Sequence, residues 1–189
     1  MTNALIETLG LTVEILDAEN IRYAITGSVA SSVHGEPCVS QDVDLILQAS
    51  EEKAAAIARR LPARFYGEED MLVDAARRLS LTNLVDNRTG LKVDLSFVPT
   101  DGYLDEVLGR CVESRIGSAG PVFRFATAED VILMKLLWRK DTRSQKQWEN
   151  ALGVVRVQGA RLDWKYLFEQ ARKLGLEEDL VALRDEGGV

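Results

Sequence analysis

Three aspartates and a Gly-Ser pair are the residues of this chain whose types and spacing suit phosphate chemistry. Asp42 and Asp44 open the apolar run Val43 to Leu47, and Gly27-Ser28 closes the earlier run Tyr23 to Thr26, with thirteen residues between Ser28 and Asp42. Residues two apart on a strand point to the same face, so the two carboxylates are expected side by side. Adjacent like charges are costly unless a cation lies between them. Hard divalent ions suit that place, because they take oxygen ligands and leave positions for phosphate oxygens. Asp94 adds a third carboxylate from the later run Leu91 to Val98, in which Leu91, Val93, Leu95 and Phe97 alternate with Lys92, Asp94 and Ser96. That alternation sets Asp94 on the polar face of its strand. Transfer of a phosphoryl-type group between two metals, about 3.5–4 Å apart, needs such a set: one ion holds the triphosphate and the other activates the attacking hydroxyl.

Gly27 and Ser28 suit the phosphate end of the reaction. A glycine at a strand end lets a phosphate come close to the backbone, and a following helix offers free N–H groups and the positive end of its dipole. Ser28 can add its hydroxyl. No Gly-Lys-Ser/Thr follows and no Gly-x-Gly is present, so neither a Walker loop nor a dinucleotide fingerprint is formed. The plain alternative is a serine that caps the next helix.

The elements that must position these groups follow from periodicity. Residues 3–16 carry apolar side chains at spacings of one, three and four, an amphipathic helix with an interruption at Gly10. Tyr23 to Thr26 is a short strand and Ser28 to His34 a helix of small residues, stopped by Gly35 and Pro37. Val43 to Leu47 is a second strand. Helices follow over Ser50 to Leu61, with Glu51 and Glu52 at the positive end of the dipole, and over Glu68 to Leu79. Leu81 to Val85 and Leu91 to Val98, joined by Asp86-Asn87-Arg88-Thr89-Gly90, read as a hairpin. A short helix over Asp101 to Leu108 precedes a second hairpin, Cys111 to Ile116 and Val122 to Phe125 around Gly117-Ser118-Ala119-Gly120-Pro121. From Thr127 the chain reads as all helix, entered through the cap-like Thr127-Ala128-Glu129-Asp130, with later helices over Ser144 to Val157, Asp163 to Leu174 and Leu176 to Leu183. The expected fold is α/β (α+β): a mixed sheet with flanking helices over residues 1–126, and a helical region over 127–189 packed on it.

Composition narrows the class further. The 189 residues, 46% of them apolar, suffice for one domain, or for a core with a helical appendage. A net charge of −7 speaks against extended DNA binding, which needs clustered Lys and Arg. The basic clusters are Arg59-Arg60, Arg77-Arg78 and Arg139-Lys140 with Arg143 and Lys146, and the first two pairs read as solvated helix faces. Cys38, Cys111 and the single His34 lack the spacing of zinc ligands. The N-terminus lacks a signal-peptide pattern and no apolar run approaches the ~20 residues of a membrane span, so a cytoplasmic protein with free thiols and no membrane contact is expected.

Gly27-Ser28, the thirteen-residue interval, Asp42-Val43-Asp44 before an apolar strand, and Asp94 in a Val-Asp-Leu strand together resemble the signature of the DNA polymerase beta-like nucleotidyltransferase superfamily. Within it the chain looks most like small prokaryotic members, the AbiE-like toxins and minimal nucleotidyltransferase antitoxins. The resemblance covers about Ile25 to Phe97. It implies transfer of a nucleoside monophosphate from an NTP, often ATP, to a hydroxyl acceptor with release of pyrophosphate, dependent on Mg2+ or Mn2+. Asp42 and Asp44 would bind both metals, Asp94 would complete the acceptor-side metal or take the proton, and Ser28 would meet the terminal phosphates. The run Glu129 to Leu136 resembles the AbiE-like helix that provides a phosphate-binding lysine, which makes Lys135 a nucleotide-binding candidate; the plain alternative is a lysine snorkelling from a packed helix. The chain departs from its relatives in two places. Pro37-Cys38-Val39-Ser40-Gln41 stands where they often carry a basic residue, and Ser144 to Asn150 stands where AbiE-like toxins tend to have Arg-Asp-x-x-Asp.

The acceptor expected from the resemblance is a protein, a tRNA or a small molecule such as an aminoglycoside, and a cognate toxin or antitoxin is an expected partner if the chain follows those relatives. The acidic composition favours a protein or small-molecule acceptor. Two rivals differ in class: a non-catalytic module of the same fold used for docking or as an antitoxin, and a metal-dependent phosphohydrolase. The clustered aspartates speak against the first, and the scarcity of histidine against the second. His34 lacks a carboxylate partner by spacing and reads as a packed residue at a helix end. Trp138, Trp148 and Trp164 read as core or interface residues rather than base-stacking groups.

Overall fold

The computed structural model describes residues 3–40, 42–116 and 121–189. Among the described residues seven strands form one mixed sheet: β1 (Arg22–Ile25), β2 (Asp42–Gln48), β3 (Phe65–Tyr66), β4 (Leu81–Asp86), β5 (Leu91–Phe97), β6 (Val112–Arg115) and β7 (Val122–Phe125). Their spatial order is β3-β4-β5-β2-β1-β7-β6. The pairs β2–β5 and β1–β7 are parallel and the others antiparallel. The helices are α1 (Asn3–Ala18), α2 (Gly27–His34), α3 (Glu51–Arg60), α4 (Glu69–Arg78), α5 (Gly102–Arg110), α6 (Ala128–Thr142), α7 (Gln145–Gln158), α8 (Trp164–Leu174) and α9 (Glu177–Gly187). By its contacts the chain forms two compact units, the sheet with α1, α3, α4 and α5, and a helical unit of α2 with α6 to α9; the chain passes from one to the other after Thr26, Val39 and Phe125.

In the sheet unit the alternation of β5 is realised: Val93, Leu95 and Phe97 are buried, while Lys92 is exposed and Asp94 and Ser96 are half-buried. β2 buries Val43, Leu45, Ile46 and Leu47 and leaves Asp42 exposed and Asp44 half-buried. α1 runs through Gly10 without a break, because a side chain there would meet nothing and the stripe Leu5, Leu9, Val13 and Leu16 is buried on either side of it. The two-residue β3 has too few residues to show a period and was not foreseen. It pairs with β4 at Asp86 and Val85. Ser50 caps α3 as expected, accepting a hydrogen bond from the Lys53 N–H at 3.3 Å. In the second hairpin β6 and β7 pair as expected, and the connecting residues 117–120 lie outside the described residues, as does Gln41.

Asp86, fully buried at the end of β4, ties three elements together. It accepts hydrogen bonds from both arms of the Arg64 guanidinium, from the Thr8 hydroxyl of α1 at 2.6 Å and from the Arg88 N–H at 3.0 Å. The guanidinium first, then Thr8 and the Arg88 N–H, hold its carboxyl well below the usual carboxylate range against the cost of burial. A buried charge is tolerable only when it is satisfied in this way.

The helical unit is built around α6, whose residues Val131 to Leu136 are all buried. Thr127 caps it, accepting from the Asp130 N–H at 3.2 Å, as the sequence suggested. Asp130 turns inward, its carboxylate accepting from the hydroxyls of Thr127 at 2.8 Å and Tyr166 at 2.6 Å. Residues 27–34, expected with the first part of the chain, pack in this unit instead. The reason is close backbone approach at two glycines: a Cβ on Gly35 would stand 2.6 Å from the Val154 nitrogen and one on Gly153 would stand 3.1 Å from Glu36 Cβ. The Glu36 N–H also donates to the Gly153 carbonyl at 3.3 Å. His34 ends α2 with Nε2 2.7 Å from the Ala126 carbonyl. Burial pushes its pKa down, against the Ala126 bond and the charge of Glu129.

Two predictions follow from this packing. Gly35→Ala forces backbone apart at a contact that no rotamer can relieve, and should cost about 1–3 kcal/mol in denaturant unfolding. His34 is the only histidine, so one imidazole NMR resonance reports its titration. Its folded-state pKa lies below the unfolded value of about 6.5, so the unfolded chain takes up a proton first as pH falls. Stability should therefore decline from that pH downward, and the resonance should shift only at lower pH.

Candidate functional site

The parallel register of β2 and β5 sets Asp44 directly opposite Asp94 and Asp42 directly opposite Lys92. Paired residues share a face, so the three expected carboxylates and one lysine come together on one side of the sheet unit. β4 continues the row: Asn83 is paired with Asp94, and Leu81 and Val85 flank it on the same face. On the other side of β2, the Thr26 N–H donates to the Asp44 carbonyl at 2.8 Å, so β1 ends beside Asp44. The sequence reading missed Asn83. It was recoverable by counting back along the hairpin from the Asp86–Leu91 pair to Asn83–Asp94.

The electrostatics of this face are those of crowded carboxylates. Burial first, then the charges of Asp44 and Asp42, raise the pKa of Asp94, while Lys92 partly offsets them. Among the described residues no group of three His, Cys, Asp or Glu is already gathered as a metal cage. The donor set nonetheless fits a hard divalent ion: oxygen ligands only, two of them directly opposed on adjacent strands, with the opposition itself unfavourable to the protein alone.

The other expected site residues belong to the helical unit. Gly27 has φ +62°, a left-handed conformation that glycine adopts without penalty, and it starts α2. Ser28 does not cap the helix as expected; it lies inside it, 6% exposed, with its hydroxyl accepting from the Asn150 side-chain amide at 3.3 Å. Asn150 lies 122 positions away and carries no signal in the sequence. Cys38 is turned onto α2, its thiol donating to the Ser28 carbonyl at 3.1 Å and lying 3.0 Å from the Ser32 hydroxyl. Lys135 is 2% exposed, its ammonium 5.4 Å from the centre of the Trp138 ring, so it does not snorkel to solvent. Trp148 is buried with its indole N–H donating to Glu186 at 3.0 Å, and Trp164 stacks at a tilt on Phe168, both in packing roles. No described helix is long and apolar enough to cross a membrane.

No protein-family model matches the sequence, and no curated protein matches it either. Solved structures do resemble it. The solution structure of the antibiotic-resistance factor ANT(2'')-Ia, described as having substrate-regulated conformation dynamics, aligns with 96% of this chain and 100% of its own at a TM-score of 0.61 and 18% identity. The crystal structure of ANT(2'')-Ia in complex with adenylyl-2''-tobramycin aligns with 90% of this chain and 98% of its own, at 0.58 and 16%. An antigenic nucleotidyltransferase-like protein from Paracoccidioides brasiliensis aligns with 98% of this chain and 94% of its own, at 0.53 and 15%. At such identities the likeness is one of fold, and the fold is that of the nucleotidyltransferases: a mixed sheet, flanking helices and C-terminal helices.

The opposed pair gives a prediction that needs no substrate. Because the folded-state pKa of Asp94 is raised, the folded chain pays for ionising it as pH rises past the ordinary carboxylate range. Asp94→Asn should therefore stabilise the chain at pH 7 in chelator-treated buffer by up to about 1 kcal/mol. That corresponds to roughly 2–4 °C in thermal unfolding. Added Mg2+ should stabilise the wild type more than the variant.

Proposed function

We propose that this chain is a metal-dependent nucleotidyltransferase that moves a nucleoside monophosphate from an NTP to a hydroxyl on a small molecule. The observation that carries the reading is the placement of Asp44 opposite Asp94, with Asp42 on the same face, within a nucleotidyltransferase fold. A docking module of the same fold has no use for a row of opposed carboxylates that costs it stability.

Asp42 and Asp44 are assigned as ligands to both Mg2+ or Mn2+ ions and Asp94 as the ligand or proton acceptor on the acceptor side. When bound, such ions neutralise phosphate charge and lower the pKa of a coordinated hydroxyl. The acceptor oxygen bonds to the α-phosphorus, the bond from that phosphorus to the β-phosphate oxygen breaks, pyrophosphate leaves, and the hydroxyl proton is released. The raised proton affinity of Asp94 suits it to receive that proton from a hydroxyl within hydrogen-bond reach. Gly27, Ser28 and Lys135 are assigned to the phosphates. Lys135, withdrawn from solvent, is a less screened charge than a surface lysine.

A small-molecule acceptor is preferred because one neighbour of the fold was solved with adenylyl-2''-tobramycin and the chain is acidic overall, which suits a cationic acceptor such as an aminoglycoside. A protein or tRNA acceptor, and with it a toxin–antitoxin role, is the alternative that the same experiment separates. The chain is incubated with Mg2+ or Mn2+ and each α-labelled NTP, with aminoglycosides, total tRNA or cell extract in parallel. Label should move to the small molecule and be lost in Asp42→Ala and Asp94→Ala. Transfer to tRNA or to a protein would reassign the acceptor, and no metal-dependent NTP binding at millimolar nucleotide would favour the docking module.

A further inference from the structure

Lys92 belongs neither to the core nor to the carboxylate set, yet it occupies the same face. It is exposed, it is the direct cross-strand partner of the exposed Asp42, and it lies two residues before Asp94 on β5. Neighbouring strands lie about 4.7–4.9 Å apart, so side chains paired across them are close neighbours. The flexible four-carbon stem of lysine therefore lets its ammonium sweep the space above Asp42 and Asp94.

Stability alone is a weak reason for a lysine here. Strands are depleted in lysine, and an exposed ion pair contributes only about 0–1 kcal/mol. Among the described residues no carboxylate stands within ion-pair distance of Lys92 in any case. Charge balance supplies a better reason. A triphosphate brought to three carboxylates adds more negative charge than two divalent ions neutralise. The stretch just before Asp42, Pro37-Cys38-Val39-Ser40-Gln41, contains no cation.

We propose that Lys92 is a further nucleotide-binding residue, a strand-borne ammonium that meets the triphosphate beside Asp42. The assignment rests on the nucleotidyl-transfer reading above. It differs from that of Ser28 and Lys135 in placing a phosphate-binding charge on the sheet itself, where the β2–β5 register fixes its position relative to the carboxylates. Lysine acts here as a point charge, the role it commonly has toward phosphate.

The test is calorimetric and needs no acceptor. ATP, GTP, CTP and UTP are titrated with Mg2+ into the wild type, and the one that binds is then titrated into Lys92→Gln and Lys92→Arg. Mn2+ binding without nucleotide and thermal unfolding are measured alongside. Lys92→Gln should weaken nucleotide binding about tenfold or more, the scale of a lost charged hydrogen bond. Lys92→Arg should restore most of it, Mn2+ affinity should be unchanged or tighter, and the unfolding temperature should hold. Nucleotide binding that is unchanged or tighter in Lys92→Gln would overturn the assignment, since a lysine that only neutralises the carboxylates gives that result. So would weaker binding that tracks a lowered unfolding temperature. If the wild type binds none of the four nucleotides, the transferase reading itself falls and this assignment with it.

Discussion

The parallel pairing of β2 with β5 is the constraint on which the rest depends. Val43, Leu45 and Leu47 on one strand and Val93, Leu95 and Phe97 on the other are all buried, and they stand opposite one another in register. A slip of one residue would turn either set out to solvent, so the apolar face pins the register strongly. The polar face is carried along with it. Asp44 meets Asp94 because their neighbours must be buried, and the costly opposition of the two carboxylates is held in place by hydrophobic burial rather than by any attraction between them.

Asp86 and Asp94 show how differently one residue type is used in the same sheet. Asp86 is fully buried and satisfied by a guanidinium, a hydroxyl and a backbone N–H, which push its pKa down. Asp94, four positions beyond the turn of the same hairpin and half-buried, faces other carboxylates and is pushed up. The first pattern fastens α1 to the end of β4. The second is a carboxyl group perturbed by burial and by like charges, the kind of group that marks a candidate functional site.

The alternation in Leu91 to Val98 and the Asp42-Val43-Asp44 spacing made this much of the molecule legible in advance. Local period determines which face a side chain takes, so both strands, the first hairpin, the common face of Asp42 and Asp44 and the polar-face position of Asp94 could be read from neighbours in sequence, whereas the pairing that sets Asp94 opposite Asp44 could not. What could not be read depends on partners far away. Gly35 and Gly153 bring α2 onto α7, Asn150 reaches the Ser28 hydroxyl, and Cys38 folds back onto Ser28 and Ser32. None of these leaves a periodic trace. The result is a helix that lies where its sequence suggests but packs with the helical unit, and a Ser28 that sits inside the helix rather than at its cap. β3 escaped for the opposite reason, being too short to have a period at all.

The membership of α2 in the helical unit bears on how the chain matures. α2 leaves the ribosome early, but the Asn150 amide that meets Ser28 is synthesised 122 residues later, and the Gln158 amide that donates to the His34 carbonyl 124 residues later. The eight residues of α2 are too few to hold a helix alone in water. During synthesis the glycine turn and its helix must therefore stay unformed while the sheet strands on either side of them emerge. The glycine turn and its helix are thus among the last parts of the chain to acquire their structure, and a chain cut short before α7 would carry Asp42, Asp44 and Asp94 and still lack the Asn150 and Gln158 partners of α2.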